Sequence, residues 1–227
     1  MINQSVSIQD SEAPTAQARE ESAVRVDFGA AQRRELDVAS WIEHIPGWLS
    51  DPGEIFDVVA ESAGWAQHER WMYNRVVAEP RLTAEFPEIS AAPAPLRELA
   101  AILSDNLKVT YEGLWINQYR DQNDSTGWHG DAVMPRDDII VPVLSLGAAR
   151  RFLIRPVAGG RSISYPVGPG DLIIMGGRAQ QHYRHMVPKQ KTPAGPRISV
   201  NFISRSQRKA RRAARRVRMP HGDRTDG

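Results

Sequence analysis

The 227-residue sequence has no cysteine. That absence excludes disulfide frameworks, thiolate-bound zinc, iron–sulfur clusters and a thiol nucleophile. Long hydrophobic runs are missing too: no 18 consecutive residues are apolar, and the first 17 hold no basic stretch followed by an apolar core. Neither a membrane span nor a secretory leader is expected, which leaves a cytoplasmic protein with no membrane partner. No internal repeat is present. What remains is ordinary for a soluble globular chain, with 41% hydrophobic and 25% charged residues. The length suits one well-cored domain with polar ends, and a monomer is expected.

The formal net charge of +2 hides an asymmetry. Residues 205–227 hold nine Lys and Arg against two Asp, whereas the other 204 residues hold 20 basic and 25 acidic groups. A mildly acidic body thus carries a strongly basic tail, a distribution that points to a partner rich in negative charge, nucleic acid above all.

Residues 1–36 are rich in Gln, Ser, Glu, Ala and Arg with little apolar periodicity, and are expected to be disordered. The first strong helix signal is Asp51, Pro52 and Glu54, read as a cap, a first-turn proline and a capping-box partner. Ile55, Val58, Val59 and Ser62 continue it on one face. A second helix is predicted over 95–106, with Leu96, Leu99, Ala100 and Leu103 at helical spacing. Residues 69–81 suit a short strand or hairpin. From about residue 108 the pattern becomes strands, at 109–111, 114–119, 139–146, 152–155, 162–165, 172–175 and 197–202, separated by glycine- and proline-bearing turns. Helices first and short strands afterwards predict a mainly β, α+β domain: a sandwich or barrel flanked by N-terminal helices.

Chemistry concentrates in three places. His129 and Asp131 stand two apart, so on an extended segment both side chains point to the same side and can meet one ion. A third ligand is available after the strand at 172–175, where His182 and His185 follow. Two imidazoles and one carboxylate leave three open positions, the arrangement that suits non-heme Fe(II) with a co-substrate and O2. Further on, Arg197, Ser199 and Asn201 share one face of a strand; a buried guanidinium there can grip a dicarboxylic acid bidentately. Asn117 and Tyr119, again two apart, can donate hydrogen bonds from a facing strand.

The succession Asn117, Tyr119, His129, Asp131, His185, Arg197, Ser199, Asn201 and Phe202 resembles the AlkB-like family of 2-oxoglutarate- and Fe(II)-dependent dioxygenases. The likeness runs from about Trp65 to Arg205 and includes the runs 76–82, 145–152 and 170–177. The resemblance implies a double-stranded β-helix (jelly-roll) core over 37–205. It implies oxidation of an N-linked alkyl group on a nucleobase of DNA or RNA while 2-oxoglutarate is decarboxylated to succinate, the hydroxylated carbon leaving as an aldehyde. It assigns His129, Asp131 and His185 to iron, because the family's second histidine lies just before the x-x-Pro that ends here at Pro188. His182 becomes a neighbour. Asn117, Tyr119 and Arg197 are assigned to 2-oxoglutarate, with Ser199 and Asn201 beside them. One departure stands out: the second arginine that the family places after the phenylalanine is Ile203, which cannot pair with a carboxylate. Arg205, on the same strand face if the strand continues, is the substitute; without one, co-substrate binding weakens or activity is lost.

For the nucleobase, the resemblance points to Trp71, Tyr73 and Phe86, which lie where the family carries its nucleotide-recognition lid. The tail over 206–227 offers Arg208, Lys209, Arg211, Arg212, Arg215, Arg216 and Arg218 to phosphates. Like charges at i, i+4 oppose a free helix, so disorder in isolation and ordering on nucleic acid are expected. Two other functions share these residues: a dioxygenase hydroxylating a small molecule or protein, and a nucleic-acid-binding relative without turnover.

Overall fold

Side chains on consecutive strand residues point to opposite faces, and here that alternation builds two cores on either side of one sheet. The computed structural model describes residues 24–72, 74–132 and 139–218. The first strands are β1 (Gln32–Asp37), β2 (Ser40–Ile45), β3 (Glu69–Met72), β4 (Arg75–Ala78) and β5 (Leu82–Phe86). They are followed by β6 (Tyr111–Tyr119), β7 (Thr126–His129), β8 (Val141–Gly147), β9 (Arg150–Pro156) and β10 (Ile163–Val167). The last are β11 (Leu172–Gly177), β12 (Tyr183–Val187) and β13 (Arg197–Ser204). Helices α1 (Pro52–Ser62) and α2 (Ala94–Leu107) precede the main run of strands; a single turn, α3 (Ala179–His182), precedes β12, and α4 (Arg205–Arg218) follows β13.

The strands pair antiparallel into a larger sheet, ordered β1-β2-β11-β8-β13-β6-β5, a smaller one, β10-β9-β12-β7, and a separate β3-β4 hairpin. Residues of β6, β8 and β13 from the larger sheet and of β7, β9 and β12 from the smaller line one cleft between them. This is the expected jelly roll. On the far face of the larger sheet, Leu114, Ile116, Ile198, Val200 and Phe202 pack with Leu96, Leu99 and Leu103 of α2 and Ile55 and Val59 of α1. Each such fully buried side chain contributes roughly 1.5–3 kcal/mol. A second core, including Val141, Val143, Phe152, Ile154 and Met175, fills the space between the sheets. At Gly176 a Cβ would fall 2.0 Å from the Trp41 ring, so β2 and β11 can approach only with glycine there.

Several expectations change. Both early helices lie within a residue or two of their predicted bounds, but Asp51 does not cap α1: it is left-handed (φ 53°) and its carboxylate takes Arg25 Nη2 at 2.8 Å. Val58 faces solvent. The segment expected to be disordered is ordered from residue 24: Val26 bridges to Leu49 and β1 pairs with β2. Residues 1–23 lie outside the described residues. The tail expected to be disordered is helical from Arg205 to Arg218. Ser204 and Gln207 form a reciprocal cap, the Ser204 N–H donating to Gln207 Oε1 at 3.0 Å and the Gln207 N–H to Ser204 Oγ at 3.4 Å. Arg208 then pairs with Glu88 and with Glu112, at 3.5 Å from the latter, so carboxylates of the acidic body offset the repulsion expected along a free helix. No helix among the described residues is long and apolar enough to cross a membrane.

One buried polar contact ties the β10–β11 turn to the β2–α1 loop. The Asp171 carboxylate accepts the N–H groups of Gly47 at 2.8 Å and Gly168 at 2.9 Å and lies 3.0 Å from His44 Nε2. Burial by itself would raise this carboxyl, but the His44 bond and the two N–H donors outweigh it and hold it below the usual carboxylate range. Its stabilisation is therefore complete above the unfolded value of about 3.9 and is lost as pH falls through the depressed folded value. Asp171→Asn should cost about 1–3 kcal/mol in urea unfolding at neutral pH. Titrating the urea midpoint downward should show an acid-dependent loss in the parent that the variant lacks; identical acid sensitivity would refute the role.

Candidate metal and co-substrate site

Antiparallel pairing of β12 with β7 sets His185 directly opposite His129, and their ring centroids are 4.2 Å apart. Asp131, on the loop just past β7, completes the group: one ligand atom from each of the three lies within 4.8 Å of the others. Each member is held from behind. The His129 Nδ1 lies 2.8 Å from the Gly127 carbonyl, which can only accept, so this nitrogen donates and Nε2 is the one left for a metal. His185 stacks on Phe152, with centroids 5.4 Å apart. The Asp131 N–H donates to Gln180 Oε1 at 2.8 Å, and the Gln180 amide donates in turn to Met175 Sδ. Gly130 permits this approach, since a Cβ there would meet the Gln180 carbonyl oxygen at 2.5 Å.

The electrostatics fit a cation. Burial drives the His185 imidazole well below its usual range, with His129 and Arg184 adding to the effect. It therefore stays neutral, the form that ligates. Burial lifts the Asp131 carboxyl, against the opposing positive potential of His129 and Arg211. A metal ion would restore the carboxylate. Of the two histidines left open by spacing, His182 is elsewhere: its Nδ1 lies 3.1 Å from Asp37 Oδ2 and 3.3 Å from Ser40 Oγ.

Beside the triad the inner face of the larger sheet is polar. Arg197 pairs in register with Tyr119, Ser199 with Asn117 and Asn201 with Trp115. Arg197 is 1% exposed, and its Nη2 donates to Ser145 Oγ at 2.8 Å, but Nε and Nη1 make no hydrogen bond among the described residues. Burial lowers the affinity of this guanidinium for its proton, while Tyr119 supports it. Two buried donors of a cation aimed into a polar cleft fit a carboxylate. The Asn117 amide donates to Ser199 Oγ at 3.2 Å. The donor set thus fits both groups: His129, Asp131 and His185 for Fe(II), and Arg197, Tyr119, Asn117 and Ser199 for a 2-oxo dicarboxylic acid. Asn201 is turned to the Trp115 carbonyl, at 2.9 Å.

Other expectations are not met. The strand does not continue past Ser204: a bulge follows Ile203, the Ser204 cap starts α4, and Arg205 swings outward to Glu112 at 2.6 Å. Phe86 packs with the core on the far face of the larger sheet. Tyr73 lies outside the described residues, as do the side chains of Trp71, Arg212, Arg215, Arg216 and Arg218. Arg208 pairs with the body, and Lys209 stands on the same helix. One residue near the site was missed: Arg81, whose Nε donates to Asn117 Oδ1 at 3.1 Å while its Nη2 pairs with the buried Glu79 at 2.7 Å. The signal was present, since Pro80 places Arg81 immediately before β5, whose Thr83 pairs with Asn117.

Binding of Mn(II) as a redox-silent stand-in for Fe(II), followed by calorimetry, should be lost in His129→Ala and in His185→Ala. Gly130→Ala should weaken it at least about tenfold, because displacing Asp131 from Gln180 misplaces a ligand. Affinity should fall as the solution is acidified toward the raised Asp131 value. Full-strength binding by His129→Ala would remove the assignment.

Comparison with known proteins follows the same residues. The 2OG-Fe(II) oxygenase superfamily model matches residues 47–215. The mouse alpha-ketoglutarate-dependent dioxygenase alkB homolog 3 (Mus musculus) is 29% identical over 181 residues, 69% of this chain and 63% of that protein. Its human counterpart (Homo sapiens) is 30% identical over 171 residues, 65% of this chain and 59% of that one. Human DNA oxidative demethylase ALKBH2 is 26% identical over 136 residues, 53% and 51% of the two chains. The chain thus spans about three-fifths of the length of the alkB homolog 3 proteins it matches. Among solved structures, that of OsALKBH1 has a TM-score of 0.55 at 14% identity, covering 75% of this chain and 99% of that one, a likeness of fold. With the triad and the carboxylate cradle already placed, these matches agree: the chain belongs to the AlkB-like group of the 2OG-Fe(II) oxygenase superfamily.

Proposed function

We propose that this protein catalyses Fe(II)- and 2-oxoglutarate-dependent oxidative dealkylation of N-alkylated nucleobases in DNA or RNA. The observation that carries the reading is the meeting, in one cleft, of the His129, Asp131 and His185 ligand atoms with a buried guanidinium whose Nε and Nη1 want an acceptor. Iron, 2-oxoglutarate and O2 supply the oxidising power, which side chains lack. The protein's own share is geometric. His129, Asp131 and His185 would hold the metal, three protein ligands being the set that suits an Fe(II) centre taking a co-substrate and O2. Arg197 fixes the far carboxylate of the co-substrate, with Tyr119 and the Asn117–Ser199 pair completing its hydrogen bonds.

Support for a nucleobase comes from Trp115, whose indole N–H donates to the cleft residue Asn117. Arg211 lies over its ring at 4.5 Å and His68 stacks at 6.4 Å, and the β3-β4 hairpin carrying Trp71 follows His68 directly in sequence. A base drawn out of a helix costs a few kcal/mol of stacking and pairing, least when the strand is single or the base damaged. An aromatic platform returns about 1–3 kcal/mol per stacked base. The basic helix α4 begins beside this face and carries further arginines along its length, a supply of positive charge for phosphates. The relative ALKBH2 is a DNA oxidative demethylase, which is consistent with the same substrate class here.

Anaerobic loading with Fe(II) and 2-oxoglutarate, then exposure to O2 with N-methylated adenine or cytosine oligonucleotides, tests the reading. Succinate, aldehyde and unmodified base should appear together, and His129→Ala should form none of them. Succinate without base repair would transfer the enzyme to a small-molecule or protein substrate; no succinate at all would leave a binding protein without turnover. Replacing Arg212, Arg215, Arg216 and Arg218 by Gln should flatten the dependence of oligonucleotide affinity on salt, by roughly 0.7–0.9 in logarithmic slope for each phosphate left unneutralised. An unchanged slope would remove α4 from the nucleic-acid interface.

A further inference from the structure

Along β13 and β6, the inner face of the larger sheet has four rows: Arg197 with Tyr119, Ser199 with Asn117, Asn201 with Trp115, and Ile203 with Gly113. The first three line the metal cleft or adjoin it. The fourth is apolar. Ile203 and Gly113 floor a neighbouring hollow whose other side includes Glu85, Arg208 and Arg211. The bulge after Ile203 and the Ser204–Gln207 cap turn the chain back, so α4 lies over this row and buries Ala210. From there the Arg211 guanidinium reaches 4.5 Å from the centre of the Trp115 ring, with Nη2 3.7 Å from Glu85 Oε1 and the side chain 28% exposed. The Trp115 indole N–H donates to Asn117 Oδ1 at 3.2 Å, so the next row inward is the co-substrate row.

A 2-oxo dicarboxylic acid brings two carboxylates. Arg197 can neutralise the one at the deep end. The other would bring a second negative charge close to the Asp131 carboxylate, and two like charges repel unless a cation stands by. Arg205, expected to serve, is turned away to Glu112. We propose that Arg211 supplies the second guanidinium of the co-substrate site, delivered from α4 over Ile203 and Trp115 to the Asn117 side of the cleft. The C-terminal helix is then part of the active centre, and Ile203 is the apolar floor that a covering helix requires in place of a strand-borne arginine. This assignment rests on the co-substrate reading given above.

The test is anaerobic titration of 2-oxoglutarate into the Mn(II)-loaded full-length protein, read by calorimetry, for the parent, Arg211→Leu and Arg211→Lys. Arg211→Leu should weaken 2-oxoglutarate binding roughly tenfold to a hundredfold, and Arg211→Lys should recover part of it. Oligonucleotide affinity is measured alongside, without 2-oxoglutarate: a weakened 2-oxoglutarate titration supports the co-substrate role whether or not the contact at Trp115 also weakens. If Arg211→Leu does not fold, Arg211→Gln, which keeps the hydrogen-bonding end without the charge, carries the same comparison. Unchanged 2-oxoglutarate affinity in the uncharged variant would overturn the role of Arg211, and so would a loss confined to oligonucleotide binding. Failure of the parent itself to bind 2-oxoglutarate in the presence of metal would overturn the co-substrate reading instead.

Discussion

Everything about the cleft follows from the seating of β13 between β6 and β8. An antiparallel strand paired on both edges has its register fixed by two ladders, and a slip of one residue would exchange its two faces. With Ile198, Val200 and Phe202 committed to the core beneath α1 and α2, Arg197, Ser199 and Asn201 have no choice but the inner face. The same alternation on β6 sends Leu114 and Ile116 one way and Trp115, Asn117 and Tyr119 the other. Hydrophobic burial on one side of the sheet thus aims the polar residues on its other side, including a guanidinium that could not be buried cheaply without an acceptor to come.

The smaller sheet brings together the histidines of a triad that could hold a metal by a similar device. His129 and His185 are 56 positions apart in sequence, yet a single cross-strand pairing makes them neighbours. Asp131 is placed by something less regular: a glycine that lets the loop touch α3, and a buried glutamine that captures its backbone N–H. Two members of the triad are therefore held by sheet geometry and the third by a tight loop contact, which concentrates the sensitivity of the site at Gly130 and Gln180.

Charge is distributed with the same economy. The basic C-terminal segment does not float beside an acidic body; Arg208 and Arg211 lie against Glu88, Glu112 and Glu85, and the helix they anchor closes over Ile203. The apolar residue that looked like a gap in the carboxylate cradle is explained by what covers it. The first turns of α4 are thereby bound to the sheet, while the basic residues further along the helix are the ones proposed for phosphates.

Much of this was legible in the chain itself. Helical spacing at Leu96, Leu99, Ala100 and Leu103 located α2, β-branched runs located most of the strands, and the two-residue spacings of Asn117 with Tyr119, His129 with Asp131 and Arg197 with Ser199 marked the site, because period-two and period-3.6 patterns are local properties. Strands β1, β2, β5, β7 and β12 were not marked: they are short, and all but β1 pair with strands far away in sequence. Nor could spacing choose between His182 and His185, which depends on which one faces β7. Composition marked the basic tail but not its state: arginine repulsion argued for disorder, and the carboxylates of Glu88, Glu112 and Glu85 that relieve it come from distant parts of the sequence. Local sequence decides which side chains share a face; only the folded chain decides what that face meets, since burial and ion pairing are set by neighbours that the sequence does not place side by side.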